Sequence, residues 1–407
     1  MICRSCGSAL ELTFLDLGNS PPSNAYLSAG DLDAPETWYP LRVMACGDCR
    51  LVQTRDFARA EDLFTEDYAY FSGFSSSWRD HCRRYADQMV DRLGLGSESL
   101  VVEVACNDGT LLAEFLDRGT RCLGVEPTAS TAAAARDLGL EVVEEFVGVA
   151  TAERLAADGV SADLLAANNV VAHVPDIVDF VRGCGILLAP DGVATFEFPH
   201  LLRLVEGVQF DTVYHEHFSY LSLTSLSRVV EAVGLVVHDV EEVPTHGGSL
   251  RVHLGRLDGA HPVSPSVGRL LDLEEDRGLC SDAYYRGFQA EADRVKDDLL
   301  RFLLEARAEG RSVAAYGAAA KGNTLLNYAG VRPDLVPFVV DRNPAKQGRF
   351  LPGSRIPVVD EGRLSRVRPD HVLILPWNLR EELEESLSYV RDWGATFVTA
   401  VPELRVV

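Results

Sequence analysis

Two Cys-x-x-Cys pairs, Cys3-Arg-Ser-Cys6 and Cys46-Gly-Asp-Cys49, stand about forty residues apart at the start of the chain. A tight turn aims both thiolates of a pair at one point, so each pair can clamp one edge of a tetrahedral ion. Four thiolates leave no position for water, and the pattern therefore predicts a closed, structural zinc site rather than a catalytic one. A redox dithiol or chance spacing are the other readings. Cys82, Cys106, Cys122, Cys184 and Cys280 are scattered singly and read as small core residues.

A second concentration of chemistry is Tyr214-His215-Glu216-His217-Phe218-Ser219-Tyr220. Histidine moves protons near neutral pH, and a neighbouring carboxylate can orient it. In an extended chain His215 and His217 share one face while Tyr214 and Glu216 take the other; in a helix the four side chains fan out. Core histidines or a second metal site are the bland readings. His173, in Asn168-Asn169-Val-Val-Ala-His173, falls just past a predicted strand, on the edge where parallel sheets hold ligands. Lys296, Lys321 and Lys346 are the only lysines. Lys321, Arg342, Lys346 and Arg349 gather around predicted strand ends and form a candidate phosphate cradle, weighed against solvated surface charge.

These residues need a scaffold, and the apolar runs supply one. Leu100-Val-Val-Glu-Val-Ala105 reads as a buried parallel strand, followed by the turn Cys106-Asn107-Asp108-Gly109 and a helix from Thr110. Strand, tight turn and helix start present backbone N–H groups to a ligand. The next strand, from Arg121, ends in Glu126-Pro127, where an acidic group suits a ribose diol. Further strands over 141–146, 163–169 and 193–198 alternate with helix-like stretches and predict a doubly wound parallel sheet. The turn lacks GxGxxG, so the residues favour S-adenosylmethionine over a nicotinamide cofactor without excluding it. From Ser312 onward a second, smaller α/β unit begins. Its first strand runs through Tyr316-Gly-Ala-Ala-Ala-Lys321-Gly-Asn323 into a helix, and a charged helical stretch over 282–309 braces it. A β-rich insert is expected over 21–43, a helix from Arg79 to Leu93 and another from Leu379 to Trp393. The aromatic segment 66–78, with Tyr68 and Tyr70, reads as a packing seam or a lid.

The 407 residues suit two or three domains, and 47% hydrophobic residues suffice for sizeable cores. A net charge of −23 repels nucleic acid and anionic membranes, so the Cys pairs do not read as a DNA-binding finger. No leader pattern or bilayer-length apolar run occurs, and with reduced thiols this predicts a cytoplasmic location.

The paired Cys-x-x-Cys knuckles, Glu103-Val-Ala-Cys-Asn-Asp-Gly109, Asn168-Asn-Val-Val-Ala-His173, Tyr214-His-Glu-His217, His246-Gly-Gly-Ser-Leu-Arg251 and Tyr316-Gly-Ala-Ala-Ala-Lys-Gly322 occur together in this order. Together they resemble the S-adenosylmethionine-dependent sugar C-methyltransferases of antibiotic deoxysugar pathways, over nearly the whole chain. The resemblance implies a small zinc-binding domain (1–78), a Rossmann-like methyltransferase domain (79–245) and a second Rossmann-like α/β domain (246–407) that binds a nucleotide sugar. It implies His217 as the base, Tyr214 and Glu216 beside it, and Tyr68 and His173 near a sugar ketone. Asn107, Asp108, Gly109, Glu126, Pro127, Phe146, Asn168 and Asn169 would contact S-adenosylmethionine. Lys321, Tyr316, Asn323, Arg342, Asn343, Lys346 and His246 would contact a dTDP-linked 4-keto-deoxysugar, methylated at C3 rather than C5 by a monomeric enzyme. One departure is Ala105, where methyltransferases often carry Gly. A nicotinamide-dependent sugar-nucleotide oxidoreductase and a non-enzymatic zinc-dependent assembly protein are the alternative functions.

Overall fold

The computed structural model describes residues 1–55, 73 and 76–407. Tyr68, Tyr70 and most of the aromatic segment lie outside the described residues. The rest is α/β, organised on three sheets.

The middle sheet has seven strands in the order Leu235–Val243, Ser249–Arg256, Leu188–Pro199, Ala162–Asn168, Leu100–Val104, Arg121–Val125, Glu141–Val143. From Leu188–Pro199 to Glu141–Val143 all pairings are parallel. Helices cover such a sheet on both faces, which is why Leu100–Val104 is apolar almost throughout. Ser249–Arg256 runs antiparallel to both of its neighbours. It lies past the expected boundary at residue 246, yet belongs to the middle sheet, because only a short turn joins it to Leu235–Val243. The chain leaves Leu100–Val104 toward one edge and returns on its other side at Ala162–Asn168. The crevice of the sheet therefore opens beyond the carboxyl ends of these two strands.

The C-terminal sheet follows the order Val358–Val359, Val339–Val340, Val313–Tyr316, His371–Ile374, Thr396–Thr399, Arg405–Val406, parallel except for the last strand. The four-stranded antiparallel N-terminal sheet joins Leu12–Ser20, Tyr39–Ala45 and Val52–Thr54, and takes its last strand, Ser219–Tyr220, from the middle of the chain. That pairing fastens the histidine-rich segment to the cysteine module.

The charged stretch over 282–309 is two helices, Asp282–Arg286 and Phe288–Ala308, meeting at Gly287, the poorest helix former available there. Phe288, Ala292, Val295, Leu299, Leu303 and Ala306 face inward at helical spacing, and Phe288 stacks on Phe14 at 4.7 Å between ring centres. One apolar core thus runs from the N-terminal sheet through this helix into the C-terminal sheet. The stretch from Leu379 to Trp393 breaks into the helix Arg380–Ser386 flanked by 3-10 segments, one turn at Trp377–Leu379 and two at Ser388–Trp393. Among the described residues no helix is long and apolar enough to cross a membrane.

Candidate active site

A cleft of about 1660 Å³ lies where the three sheets converge. Tyr214, Glu216, His217 and His173 line its centre. His173 ends the short 3-10 helix Val171–His173, while the segment carrying Tyr214, Glu216 and His217 is neither strand nor helix. A β-turn closes Tyr214–His217, with the His217 N–H donating to Tyr214 O at 3.0 Å. The turn brings the Tyr214 and His217 rings to 4.0 Å between centres, with His173 at 4.6 Å from His217. It also sends His215 away from the cleft, against the edge of Tyr39 at 5.8 Å. Both periodic readings of this segment give way to the turn.

The imidazole tautomers follow from their partners. His217 Nδ1 lies 3.0 Å from Thr212 O and His173 Nδ1 2.8 Å from Glu216 O. A carbonyl oxygen only accepts, so both Nδ1 atoms carry the hydrogen and the lone pair sits on Nε2. Burial holds His217 well below the usual imidazole range and brings His173 down to about 4. Both rings are therefore neutral near pH 7. Burial pushes the Glu216 carboxyl up to about 7, opposed by the Asn24 amide, which donates to both oxygens at 2.9 and 2.7 Å.

On one side of this centre are the ends of the middle strands. Asn107, Glu126, Pro127, Phe146, Asn168 and Asn169 line the cleft here. Ala105 adopts a left-handed backbone (φ 53), as do Asn107 (φ 52) and Gly109 (φ 77). For Ala this costs about 1–2 kcal/mol, which explains the preference for Gly at that position. Amides of this loop are engaged, Asn107 N–H donating to Glu126 Oε2 at 3.0 Å and Gly109 N–H to Cys106 O, and Glu126 Oε1 accepts from Thr128 N–H at 2.9 Å past the next strand. Asp108 and Gly109 do not line the cleft. Asp108 accepts from Thr110 and from Gly73 N–H. Gly109 permits a close approach, since a Cβ there would lie 2.5 Å from Leu140.

On the opposite side Tyr316, Lys321, Arg342, Asn343, Lys346 and His246 line the cleft, and Asn323 does not. Asn323 is buried and holds Asn327 instead. Lys321 Nζ donates to Asn378 at 2.7 Å and Lys346 Nζ to Ala318 O at 2.8 Å. Burial lowers both ammonium groups from the usual lysine range, opposed by Asp211 and Asp341 respectively. Arg342 pairs with Glu361 at the rim. His246 has a left-handed backbone (φ 55) in a turn with Gly247 and Gly248, and burial brings its ring to about 4. Asp341 ends the second strand, where a dinucleotide enzyme would grip ribose. Here it is filled from within, accepting from Ala318 N–H and Asn343 N–H at 2.8 Å each.

Away from the cleft, the thiol sulfurs of Cys3, Cys6, Cys46 and Cys49 all lie within 4.8 Å of one another. Cys3 and Cys49 are 3.4 Å apart and Cys6 and Cys46 3.6 Å, near the edge of about 3.8 Å that a zinc–sulfur bond of about 2.3 Å sets in a tetrahedron. Gln53 Nε2 donates to Cys3 Sγ at 3.2 Å, an outer contact typical of a metal thiolate.

Three family models match successive parts of the chain: a zinc binding domain at residues 3–64, a methyltransferase domain at 78–240 and a C-methyltransferase C-terminal domain at 244–402. The C-methyltransferase NovU of Streptomyces niveus is 35% identical over 405 residues, which is 100% of this chain and 96% of NovU. The chain belongs to the S-adenosylmethionine-dependent C-methyltransferase family. A ubiquinone biosynthesis O-methyltransferase of Methylobacterium sp. (strain 4-46) is 28% identical over 167 residues, 37% of this chain and 67% of that protein. Among solved structures, magnesium protoporphyrin IX methyltransferase from Synechocystis PCC 6803 with bound SAM is 14% identical. It covers 43% of this chain and 79% of its own, with a TM-score of 0.32.

The cofactors of a C-methyltransferase of this family are S-adenosylmethionine and zinc, and the residues present fit both. The four sulfurs form a complete donor set. At the methyltransferase crevice, Asn168 has both Oδ1 and Nδ2 buried without a hydrogen-bond partner among the described residues, an orphaned amide in a cleft wall. Phe146 is 56% exposed there, an open aromatic face. The sequence did not single out one feature, the cluster around Glu197. This fully buried carboxylate accepts from Arg251 at 2.9 Å and Thr245 at 3.0 Å and lies 2.9 Å from His81 Nε2, on which Trp78 stacks. A lone Glu between Phe196 and Phe198 in a core strand was the available signal.

Proposed function

We propose that this C-methyltransferase acts on a dTDP-linked 4-keto-deoxysugar of a deoxysugar or antibiotic pathway, at C3 rather than C5, with His217 as general base. The observation that carries this reading is the tautomer of His217. A fixed Nδ1–H leaves a neutral Nε2 lone pair in the cleft between the two nucleotide-type sheets, which is the form a base needs to take a proton from carbon. The proton beside a ketone is acidic because the resulting enolate places its charge on oxygen. His173 and Tyr214 surround that region, Tyr68 is the further expected donor, and Glu216 fixes the turn through Asn24. Lys321 and Lys346, with Tyr316, Arg342, Asn343 and His246, would hold the diphosphate and sugar: two buried ammonium groups, Lys346 with Asp341 at 3.8 Å, gather positive charge on this wall of the cleft and favour an anion.

Glu126, Asn107, Asn168, Asn169, Pro127 and Phe146 would hold S-adenosylmethionine, with Asp108 and Gly109 shaping the loop. When bound, that group supplies an electrophilic methyl. The residues of the chain orient the substrate carbon and exclude water. The zinc thiolates take no part in the step. The division at 78 and 245, the monomeric state and the cytoplasmic location belong to the same proposal. Offering the protein a panel of dTDP-4-ketosugars with S-adenosylmethionine tests it: a one-methyl mass gain on one of them is expected, and no gain on any sinks the reading.

Glu126→Ala is expected to weaken S-adenosylhomocysteine binding by about 10–100-fold, the range for losing hydrogen bonds to a charged group, while thermal unfolding stays cooperative. Calorimetry giving equal affinities for variant and parent would remove Glu126 from the cofactor site.

A further inference from the structure

Three elements meet on the indole of Trp377, which follows the strand His371–Ile374 of the C-terminal sheet. Its Nε1–H donates to Asp211 Oδ2 at 2.8 Å. Lys321 Nζ stands 4.7 Å from the ring centre. On the third side is Gly247, where a Cβ would come 2.6 Å from the indole, so the ring rests on bare backbone. Gly247 O in turn accepts from Gln209 Nε2 at 2.8 Å.

Gln209, Asp211 and Thr212 form the turn that precedes the base. Thr212 O receives the Nδ1–H of His217, and the Thr212 hydroxyl donates to Gln209 O at 2.7 Å. Thr324 of the C-terminal domain adds a hydroxyl to Val213 O at 3.0 Å. Asp211 is fully buried, and its Oδ1 has no hydrogen-bond partner among the described residues. The indole N–H is thus the side-chain donor that compensates this carboxylate.

We propose that Trp377 is a positioning residue for proton abstraction: by fixing Asp211 it sets the Thr212 carbonyl that orients His217. This rests on the reading of His217 as the base. A buried carboxylate that loses its donor must turn or take up a proton, and either response shifts the turn Phe210–Thr212. A displacement well under 1 Å is enough to misalign a base with its proton. The same indole carries Lys321, so the substrate side of the cleft and the base share one support.

Trp377→Phe keeps an aromatic ring beneath Lys321 and removes the donor together with part of the ring that lies on Gly247, so Asp211→Ala and Asp211→Asn separate the lost hydrogen bond from the lost volume. With S-adenosylhomocysteine present, exchange of the substrate α-proton with deuterated water is expected to slow about tenfold, and kcat to fall equally. KM for the dTDP-4-ketosugar should stay within about twofold, since the ring under Lys321 remains. Asp211→Ala should match this loss, and Asp211→Asn, which still accepts from the indole, should restore most of it. Exchange at the parent rate in Trp377→Phe, or a loss confined to KM or to thermal stability, overturns the proposal. If the parent protein neither exchanges the proton nor transfers a methyl, the base assignment falls as well, an outcome distinct from failure in the variants alone.

Discussion

Replacing His217 with Asn is expected to lower kcat by a factor of about 10²–10⁴ while both ligands still bind. Asn preserves the outline of the ring's Nδ1 side and can donate to Thr212 O, but has no lone pair where His217 presents Nε2. Methyl transfer then lacks the group that ionises the carbon. Exchange of the α-proton with deuterated water should vanish in the same variant. Exchange persisting at the parent rate would move the role to His173 or Tyr214, whose rings lie nearest to His217.

Cys46→Ser should abolish stoichiometric zinc and unfold the N-terminal module. Zinc held by a structural thiolate site contributes about 10 kcal/mol or more, as much as the entire stability of many domains. Activity should follow for a structural reason. Asn24, from this module, anchors Glu216, and Val52–Thr54 pairs with Ser219–Tyr220 directly behind the turn that carries His217. Arg4, within the first knuckle, donates to Pro175 O, two residues past His173. Elemental analysis with thermal unfolding checks this. Zinc content and a melting temperature equal to the parent's would show that the thiolates do not hold the metal.

The parallel strands were legible because a strand buried on both faces is written as an apolar run, and Leu100–Val104 and Ala162–Asn168 are such runs. The cysteine site was legible because its ligands come in pairs at turn spacing. The cleft's composition was readable from the motif order, since most of the expected residues line it. Its internal geometry was not. Periodicity cannot announce a β-turn, so the separation of His215 from His217 was invisible. Nor does spacing reveal contacts between distant segments: Asn24 with Glu216, Trp377 with Asp211, and His81 with Glu197 join residues more than a hundred positions apart. Asp108, Gly109 and Asn323 sit within the right motifs but serve the turn and helix that carry them.

On the proposed function, a new carbon–carbon bond forms beside a sugar ketone. Incubating the protein with a dTDP-4-ketosugar and S-adenosylmethionine labelled with ¹³C in its methyl group, followed by carbon NMR of the product, tests it most directly. The predicted result is a labelled methyl coupled to a ring carbon adjacent to a retained carbonyl. A labelled methoxy or N-methyl signal, or label left entirely in the cofactor, would contradict it.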